Sequence, residues 1–364
     1  MKKIVIDARE SGTSTGRYID QLVEHLHRLR PPYEVVVLVK KHRMDFMTGL
    51  VPGFTLVLCP FQEFTFGEQL GFRRQLRRLR ADLVHFPMVQ QPVLYRRPVI
   101  TTMNDLTTVR FRNPVKNRLV FSLKQAVYRW LNKRVAHKSV ALLTYSEFVK
   151  NDIVRFTGVS PDKITVTPLA AGAIIATPVP LEALEKKKFL LYVGRALPHK
   201  NLDRLVDAFA QLTIQLPDLA LVLAGKKDAN YQLLEAIVRK RGLKNIHFTG
   251  FVNDGQLRWL YEQCAAYVFP SLSEGFGLPG LEAMLYGAPV VSSNAACLPE
   301  VYGEAAHYFD PLDTAATASA INEVLTDQNL RTELIKRGSE QVKKYSWQHT
   351  AEQTLAVYKH VLDT

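Results

Sequence analysis

Glu274 and Glu282 lie eight residues apart in the stretch Ser273-Glu274-Gly275-Phe276-Gly277-Leu278-Pro279-Gly280-Leu281-Glu282. The stretch follows the apolar run Tyr267-Val268-Phe269, which places it at the end of a strand. Its glycines allow close backbone approach, and Pro279 suits the first turn of a helix. A loop that leads into a helix N-terminus offers backbone N–H groups to an anion, and carboxylates accept hydrogen bonds from sugar hydroxyls. A tight strand-to-helix turn with a solvated glutamate accounts for the same residues equally well.

A second loop, Val193-Gly194-Arg195-Ala196-Leu197-Pro198-His199-Lys200-Asn201, also follows an apolar run. Arginine grips a phosphate through two parallel bonds, and lysine adds a point charge. Either cation alone reads as solvated. Two such loops at strand ends in one domain favour a diphosphate between them. His199 reads as a packing or exposed residue.

Three further strand ends carry polar residues. Gly12 and Gly16 frame a Ser/Thr-rich loop after Lys3-Ile4-Val5-Ile6-Asp7. Their spacing lacks the third glycine of a dinucleotide fingerprint, which disfavours a nicotinamide or flavin cofactor. Either a mobile loop that closes over a ligand or a plain turn fits. Asn104 and Asp105 follow Thr101-Thr102-Met103, where Asp105 can cap a helix or face the cleft as a catalytic candidate with Asn104. Ser146 stands where it can cap the next helix or donate to a ligand oxygen.

The elements that must position these loops alternate along the chain. Apolar, β-branched runs at 3–7, 35–39, 55–59, 82–86, 98–102 and 139–143 read as strands buried on both faces. Helical patterns at about 17–30, 68–80, 115–137 and 147–156 separate them. The pattern loosens around 172–188, at Gly172, Pro178, Pro180 and the run Glu185-Lys186-Lys187-Lys188. It then restarts, with strands at 189–193, 219–224, 246–249, 266–269 and 289–292. Two doubly wound α/β domains follow, 1–172 and 173–346, with ligands expected outside the carboxyl ends of the strands, in a cleft between the domains.

Composition narrows the function. At 364 residues, 47% hydrophobic and 22% charged, the chain is an ordinary globular one. Three separated cysteines, Cys59, Cys264 and Cys297, argue against a disulfide framework or a zinc cluster. The N-terminus has no secretory pattern, and no apolar run approaches the roughly 20 residues of a membrane span. A soluble or surface-bound protein is expected. Residues 1–180 carry 28 Lys and Arg against 13 Asp and Glu, whereas residues 181–364 carry 19 against 21. The positive excess therefore sits in the first half and calls for an anionic partner. Phe72, Leu76 and Leu79 share a face among Arg73, Arg74, Arg77, Arg78 and Arg80, which suits either an interfacial helix on anionic lipid or a surface helix. The region 110–138, with Lys116, Lys124, Arg129, Lys133 and Arg134 and the aromatics Phe111, Phe121, Tyr128 and Trp130, supports the lipid reading. Nucleic acid is the rival anion, but no binding motif is present. P-loop, His-Glu-x-x-His, Gly-x-Ser-x-Gly and Cys-x-x-Cys patterns are all missing.

Taken together, these residues resemble the retaining glycosyltransferases of family 4, which have the GT-B fold of two Rossmann-like domains facing a central cleft. The resemblance rests on the Glu-x7-Glu pair 274/282, on Val193-Gly194-Arg195 with His199-Lys200-Asn201-Leu202, on Phe248-Thr249-Gly250-Phe251-Val252, on Leu298-Pro299-Glu300-Val301 and on Tyr345-Ser346-Trp347. It implies that Arg195 and Lys200 bind the donor diphosphate and that Glu282 holds the ribose. Glu274 is then near the reacting sugar carbon, and backbone groups of Phe276, Gly277 and Leu278 support the donor. Phe251 and Val252 line the base pocket, Gly12 and Gly16 lie in a closing loop, and helix 347–364 crosses back onto the first domain. Asn104 stands where many members carry histidine; it can hydrogen-bond to a hydroxyl but carries no proton or charge, and an inactive partner subunit is one consequence. The implied reaction takes GDP-mannose or a UDP-sugar to a glycan or lipid-linked glycan on the cytoplasmic side of a membrane, needing neither cofactor nor metal. Retention follows a front-face route in which the departing phosphate takes the acceptor's proton. A small soluble acceptor is the alternative.

Overall fold

A computed structural model of the chain describes residues 1–13, 16–112 and 118–363. Ser14 and Thr15 of the Gly12–Gly16 loop, and Lys116 of the basic stretch, lie outside the described residues. The chain divides into two compact units. One comprises Met1–Val109, Leu123–Leu169 and Ser346–Thr364, the other Arg110–Ser122 and Ala170–Tyr345.

The first unit holds a parallel seven-stranded sheet: β1 (Lys3–Asp7), β2 (Glu34–Val39), β3 (Thr55–Leu58), β4 (Leu83–Phe86), β5 (Val99–Thr102), β6 (Ala141–Thr144) and β7 (Ile164–Val166), in the order β3-β2-β1-β4-β5-β6-β7. The second holds a parallel six-stranded sheet: β8 (Phe189–Val193), β9 (Ala220–Ala224), β10 (Ile246–Gly250), β11 (Ala266–Phe269), β12 (Val290–Ser293) and β13 (Ala306–Phe309), in the order β10-β9-β8-β11-β12-β13. The strand order thus reverses at β1/β4 and again at β8/β11, and ligands of open α/β sheets bind at such points. Strands such as β2 and β9 are buried almost end to end, because helices cover both faces of each sheet.

Several elements differ from the sequence expectation. The helix expected over 68–80 opens with a wide, π-type turn, Glu68–Phe72, before the regular helix Arg73–Leu79. The turn brings Glu68 inward onto Arg9, and Gly71 makes room for the Phe61 ring, which a Cβ there would meet at 2.3 Å. The apolar face of this helix, Phe72 and Leu76 with Leu79, packs into the core with Val84 and Phe86. It is therefore a surface helix with basic residues outside, not a lipid-facing wedge. The short edge strands β7 and β13 were not expected, since three or four residues leave little periodicity.

The helix Trp347–Asp363 belongs to the first unit and packs against the helix Gly16–Leu29. A fully buried polar chain secures it. Tyr358 Oη lies 2.6 Å from His85 Nδ1, His85 Nε2 lies 2.9 Å from Thr102 Oγ1, and Thr102 Oγ1 lies 3.1 Å from Tyr18 Oη. Burial holds His85 neutral, with a pKa pushed down to about 3.

Candidate functional site

In the second unit, β8 and β11 are neighbours, so the two loops singled out above emerge side by side. The Leu272 N–H donates to the His199 carbonyl at 2.7 Å and ties them together. Across this junction Lys200 Nζ meets Glu274 Oε1 at 2.5 Å. The side chains are 17% and 11% exposed, so the pair is shielded from the water that weakens surface ion pairs. One contact leaves the ammonium two further donors. Asn201, in the left-handed region at φ 59°, anchors the loop by donating to the carbonyls of Pro270 and Pro311 at 3.1 and 2.8 Å. Arg195 is 58% exposed, and its Nη2 lies 3.2 Å from Asp228 Oδ2. Asp228 is held by its other oxygen, which caps the helix Ala229–Lys240 by accepting from the N–H groups of Asn230 and Tyr231. An exposed guanidinium on a fixed carboxylate keeps donors for an incoming anion.

The loop after β11 turns into the helix Leu278–Leu285 at Gly277, which has φ 89°. A Cβ there would lie 2.5 Å from Leu298 Cδ2 and 2.6 Å from Tyr302 Oη, so both conformation and space require glycine. The Tyr302 hydroxyl donates to the Gly277 carbonyl, and the Cys297 thiol to the Glu274 carbonyl at 3.3 Å. Phe276 is buried edge-on against Tyr345, so its side chain builds the turn and only its backbone is left for a ligand. Leu278 opens the helix. Glu282, on that helix, is almost wholly buried and accepts from Tyr261 Oη at 3.2 Å. Beyond β10, Phe251 is 85% exposed, Val252 is partly exposed, and Asn253 caps the helix Asp254–Gln263.

In the first unit, Asn104 and Asp105 follow β5. Asp105 Oδ1 accepts from the Thr107 N–H at 2.8 Å, at the start of the short helix Thr107–Arg110. Asn104 Oδ1 accepts from the Tyr145 hydroxyl at 3.0 Å. Ser146 is buried and caps the helix Glu147–Thr157 by accepting from the Val149 N–H. Gly12 lies beneath Arg43, and Gly16 opens its helix where a Cβ would fall 1.9 Å from the Glu10 carbonyl oxygen.

Two family models match the chain: Glycosyltransferase Family 4 over residues 15–170, and Glycosyl transferases group 1 over residues 176–341. The O-antigen chain mannosyltransferase B of Escherichia coli is 31% identical over 79% of this chain and 77% of that protein. The chain belongs to glycosyltransferase family 4. The serotype-specific mannosyltransferase WbdA of Escherichia coli is 32% identical over 62% of this glycosyltransferase, which spans only 29% of WbdA's length. Sucrose-phosphate synthase from Thermosynechococcus elongatus shares the fold, with a TM-score of 0.80 over the whole of both chains at 20% identity. The two α/β units are those of the GT-B fold.

The structure of this glycosyltransferase joins Lys200 to Glu274, whereas Glu282 is held by Tyr261. It also shows site-forming residues that the sequence reading passed over. At β1/β4 a small cavity is lined by Asp7, Arg9, Glu10, Glu63, Met88 and Gln90, among others. Arg9 is buried. It lies 2.8 Å from Asp7 and 2.9 Å from Glu68, and stacks 4.1 Å above the Phe72 ring. Burial opposes its charge, but Asp7 and Glu68 outweigh burial and raise its pKa above the ordinary arginine value. The available signal was Asp7-Ala8-Arg9-Glu10, three charges directly after an apolar strand.

Proposed function

We propose that the enzyme transfers a hexose, with mannose the first candidate, from a nucleoside-diphosphate sugar to a glycan or lipid-linked glycan in the assembly of a surface polysaccharide, with retention of configuration. The observation that carries this reading is the Lys200–Glu274 pair at the β8/β11 switch point, with Arg195 in the same loop. Two mannosyltransferases of O-antigen chain or serotype assembly, at 31% and 32% identity, support the sugar and the pathway class.

In this reading the diphosphate takes the free donors of Lys200 and Arg195, together with backbone N–H groups at Phe276, Gly277 and Leu278. Departure of the nucleotide leaves new charge on the β-phosphate, and fixed cations stabilise it without a metal. Glu274 receives hydroxyls of the transferred sugar, Glu282 the ribose, and Phe251 and Val252 the base. Asn104 and Asp105 meet the sugar substrates. The departing phosphate takes the acceptor's proton.

The helix Arg118–Lys138 supports the reading that the enzyme attaches to an anionic membrane, on its cytoplasmic side in this proposal. Leu123, Val127 and Trp130, at helical spacing, are 55–70% exposed beside the exposed cations Lys124, Arg129, Lys133 and Arg134. An apolar stripe framed by cations matches anionic lipid.

The deciding experiment is thermal denaturation with GDP, UDP and their sugars in EDTA. A ligand that binds only the folded chain raises the melting temperature. GDP-mannose stabilises the wild type, a UDP-sugar being the alternative donor, and Lys200→Ala or Glu282→Ala loses the shift. Absence of a shift with every nucleotide sugar refutes the donor site. Pelleting with phosphatidylglycerol vesicles tests the membrane surface, and Trp130→Glu with Val127→Glu should abolish it.

A further inference from the structure

We propose that Tyr145 is a positioning residue, fixing the Asn104 carboxamide so that its Nδ2 N–H pair is presented to a substrate oxygen. The proposal rests on the reading that the turn after β5 meets the sugar substrates.

β5 and β6 are neighbours in register, Thr102 opposite Leu143, so the turns that follow them lie side by side. Tyr145 leaves the second turn and Asn104 the first. Their side chains meet at 3.0 Å, Oη to Oδ1. Tyr145 is 5% exposed, and its hydroxyl has no other hydrogen-bond partner among the described residues. A phenol carries one proton, and the amide nitrogen has no lone pair free to receive it. The proton therefore goes to Oδ1. Rotating the amide by 180° would leave a buried O–H without an acceptor, an arrangement proteins avoid. Burial also keeps the phenol protonated, holding its pKa well above the ordinary tyrosine value.

Tyr145 is itself held. Its ring sits edge-on to Tyr18, with centroids 5.1 Å apart, and Tyr18 is the end of the buried chain through Thr102 and His85 to Tyr358. Asn104 is half-buried, and its Nδ2 has no partner among the described residues. The turn thus offers two N–H donors of fixed direction and no charge. Such a group recognises a hydroxyl or ring oxygen and moves no proton. A histidine at this position could use the same tyrosine, accepting at one ring nitrogen and donating from the other. An aspartate could not, because both its oxygens accept.

The test compares kcat and KM of full-length wild type, Asn104→Ala, Asn104→His, Asn104→Asp, Tyr145→Phe and the double variant Asn104→Ala/Tyr145→Phe. The donor is GDP-mannose, with donor hydrolysis as the readout where no acceptor is turned over. Asn104→Ala should lower kcat/KM about tenfold or more, and Asn104→Asp at least as much. Tyr145→Phe should lower it about three- to tenfold while melting within a few degrees of wild type. The double variant should be no worse than Asn104→Ala alone, because residues that act as a unit are not additive. Asn104→His should retain most activity and lose it when Tyr145 becomes phenylalanine. Multiplying losses in the double variant, or a Tyr145→Phe enzyme with wild-type kinetics, overturns the proposal. Wild-type activity in Asn104→Ala instead removes the turn from the substrate site altogether.

Discussion

At β1/β4 in the first unit an arginine is enclosed by carboxylates, whereas at β8/β11 in the second two cations each face one carboxylate and keep donors to spare. Arg9 is pinned by Asp7 and Glu68, with Glu63 at 4.0 Å. Lys40 beside it lies 2.9 Å from Glu63 and 3.9 Å from Glu10. Among the described residues, Arg195 pairs with Asp228 alone and Lys200 with Glu274 alone. These local balances run against the balance of the halves, since the first half carries the positive excess. Part of the excess lies on the exposed faces of helices such as Arg73–Leu79 and Arg118–Lys138. Net charge therefore describes what a half meets in solution, and the strand ends describe what it binds.

The sharpest way to break this contrast is to remove the two kinds of cation. Arg9→Leu leaves Asp7 and Glu68 buried without a counter-charge, and breaking a buried pair costs about 3–5 kcal/mol. Urea denaturation should show that loss, and a change under about 1 kcal/mol means Arg9 is not a structural lock. Lys200→Ala leaves the largely buried Glu274 without its counter-charge but only one carboxylate unpaired, so it should move the urea midpoint less than Arg9→Leu does, yet lower kcat by about 10²–10³-fold, the usual cost of losing one preorganised electrostatic group. If Lys200→Ala unfolds the protein and Arg9→Leu only slows it, the assignments of lock and binder are reversed.

The difference between these cations also explains what was legible in the sequence. The β8 and β11 loops stood out because glycine, proline and cation spacing is a local signal, and the helix Leu278–Leu285 begins where Pro279 and Gly277 direct. Both sheets were readable from apolar runs, apart from the short edge strands β7 and β13. The Arg9 cluster was not, because Arg9 and Glu68 are 59 positions apart and meet only after β1 and the Glu68–Phe72 turn pack together. The same holds for Tyr145 with Asn104, which are joined by strand pairing across 41 positions. The face of Phe72, Leu76 and Leu79 left two readings open for a related reason. An amphipathic stripe records that an apolar face is covered, and only packing shows whether core or lipid covers it.

A smaller effect probes the shape of the donor loop independently of charge. Gly277→Ala places a methyl against Leu298 and Tyr302 at a positive φ, which should cost about 1–3 kcal/mol. It should also raise KM for the donor more than it lowers kcat. Equal stability of the variant, measured by urea, would mean the turn relaxes and is not built around glycine.

The mildest test is titration of the first unit's neutral lock. In the unfolded chain His85 has a pKa near 6.5, whereas in the folded chain burial lowers it to about 3. Below pH 6.5 the unfolded state therefore binds a proton that the folded state refuses. Stability from this residue is complete above pH 6.5 and falls as the pH drops toward 3, at up to about 1.4 kcal/mol per pH unit. His85→Gln removes the titration and keeps polar atoms for Thr102 and Tyr358. It should be less stable than wild type at pH 7.5, but its urea midpoint should decline less between pH 6.5 and 5. Parallel slopes for the two proteins would mean that His85 takes up its proton in the folded chain as readily as in the unfolded one. In that case the polar chain from Tyr358 to Tyr18 is open to water, and the C-terminal helix is held by apolar packing alone.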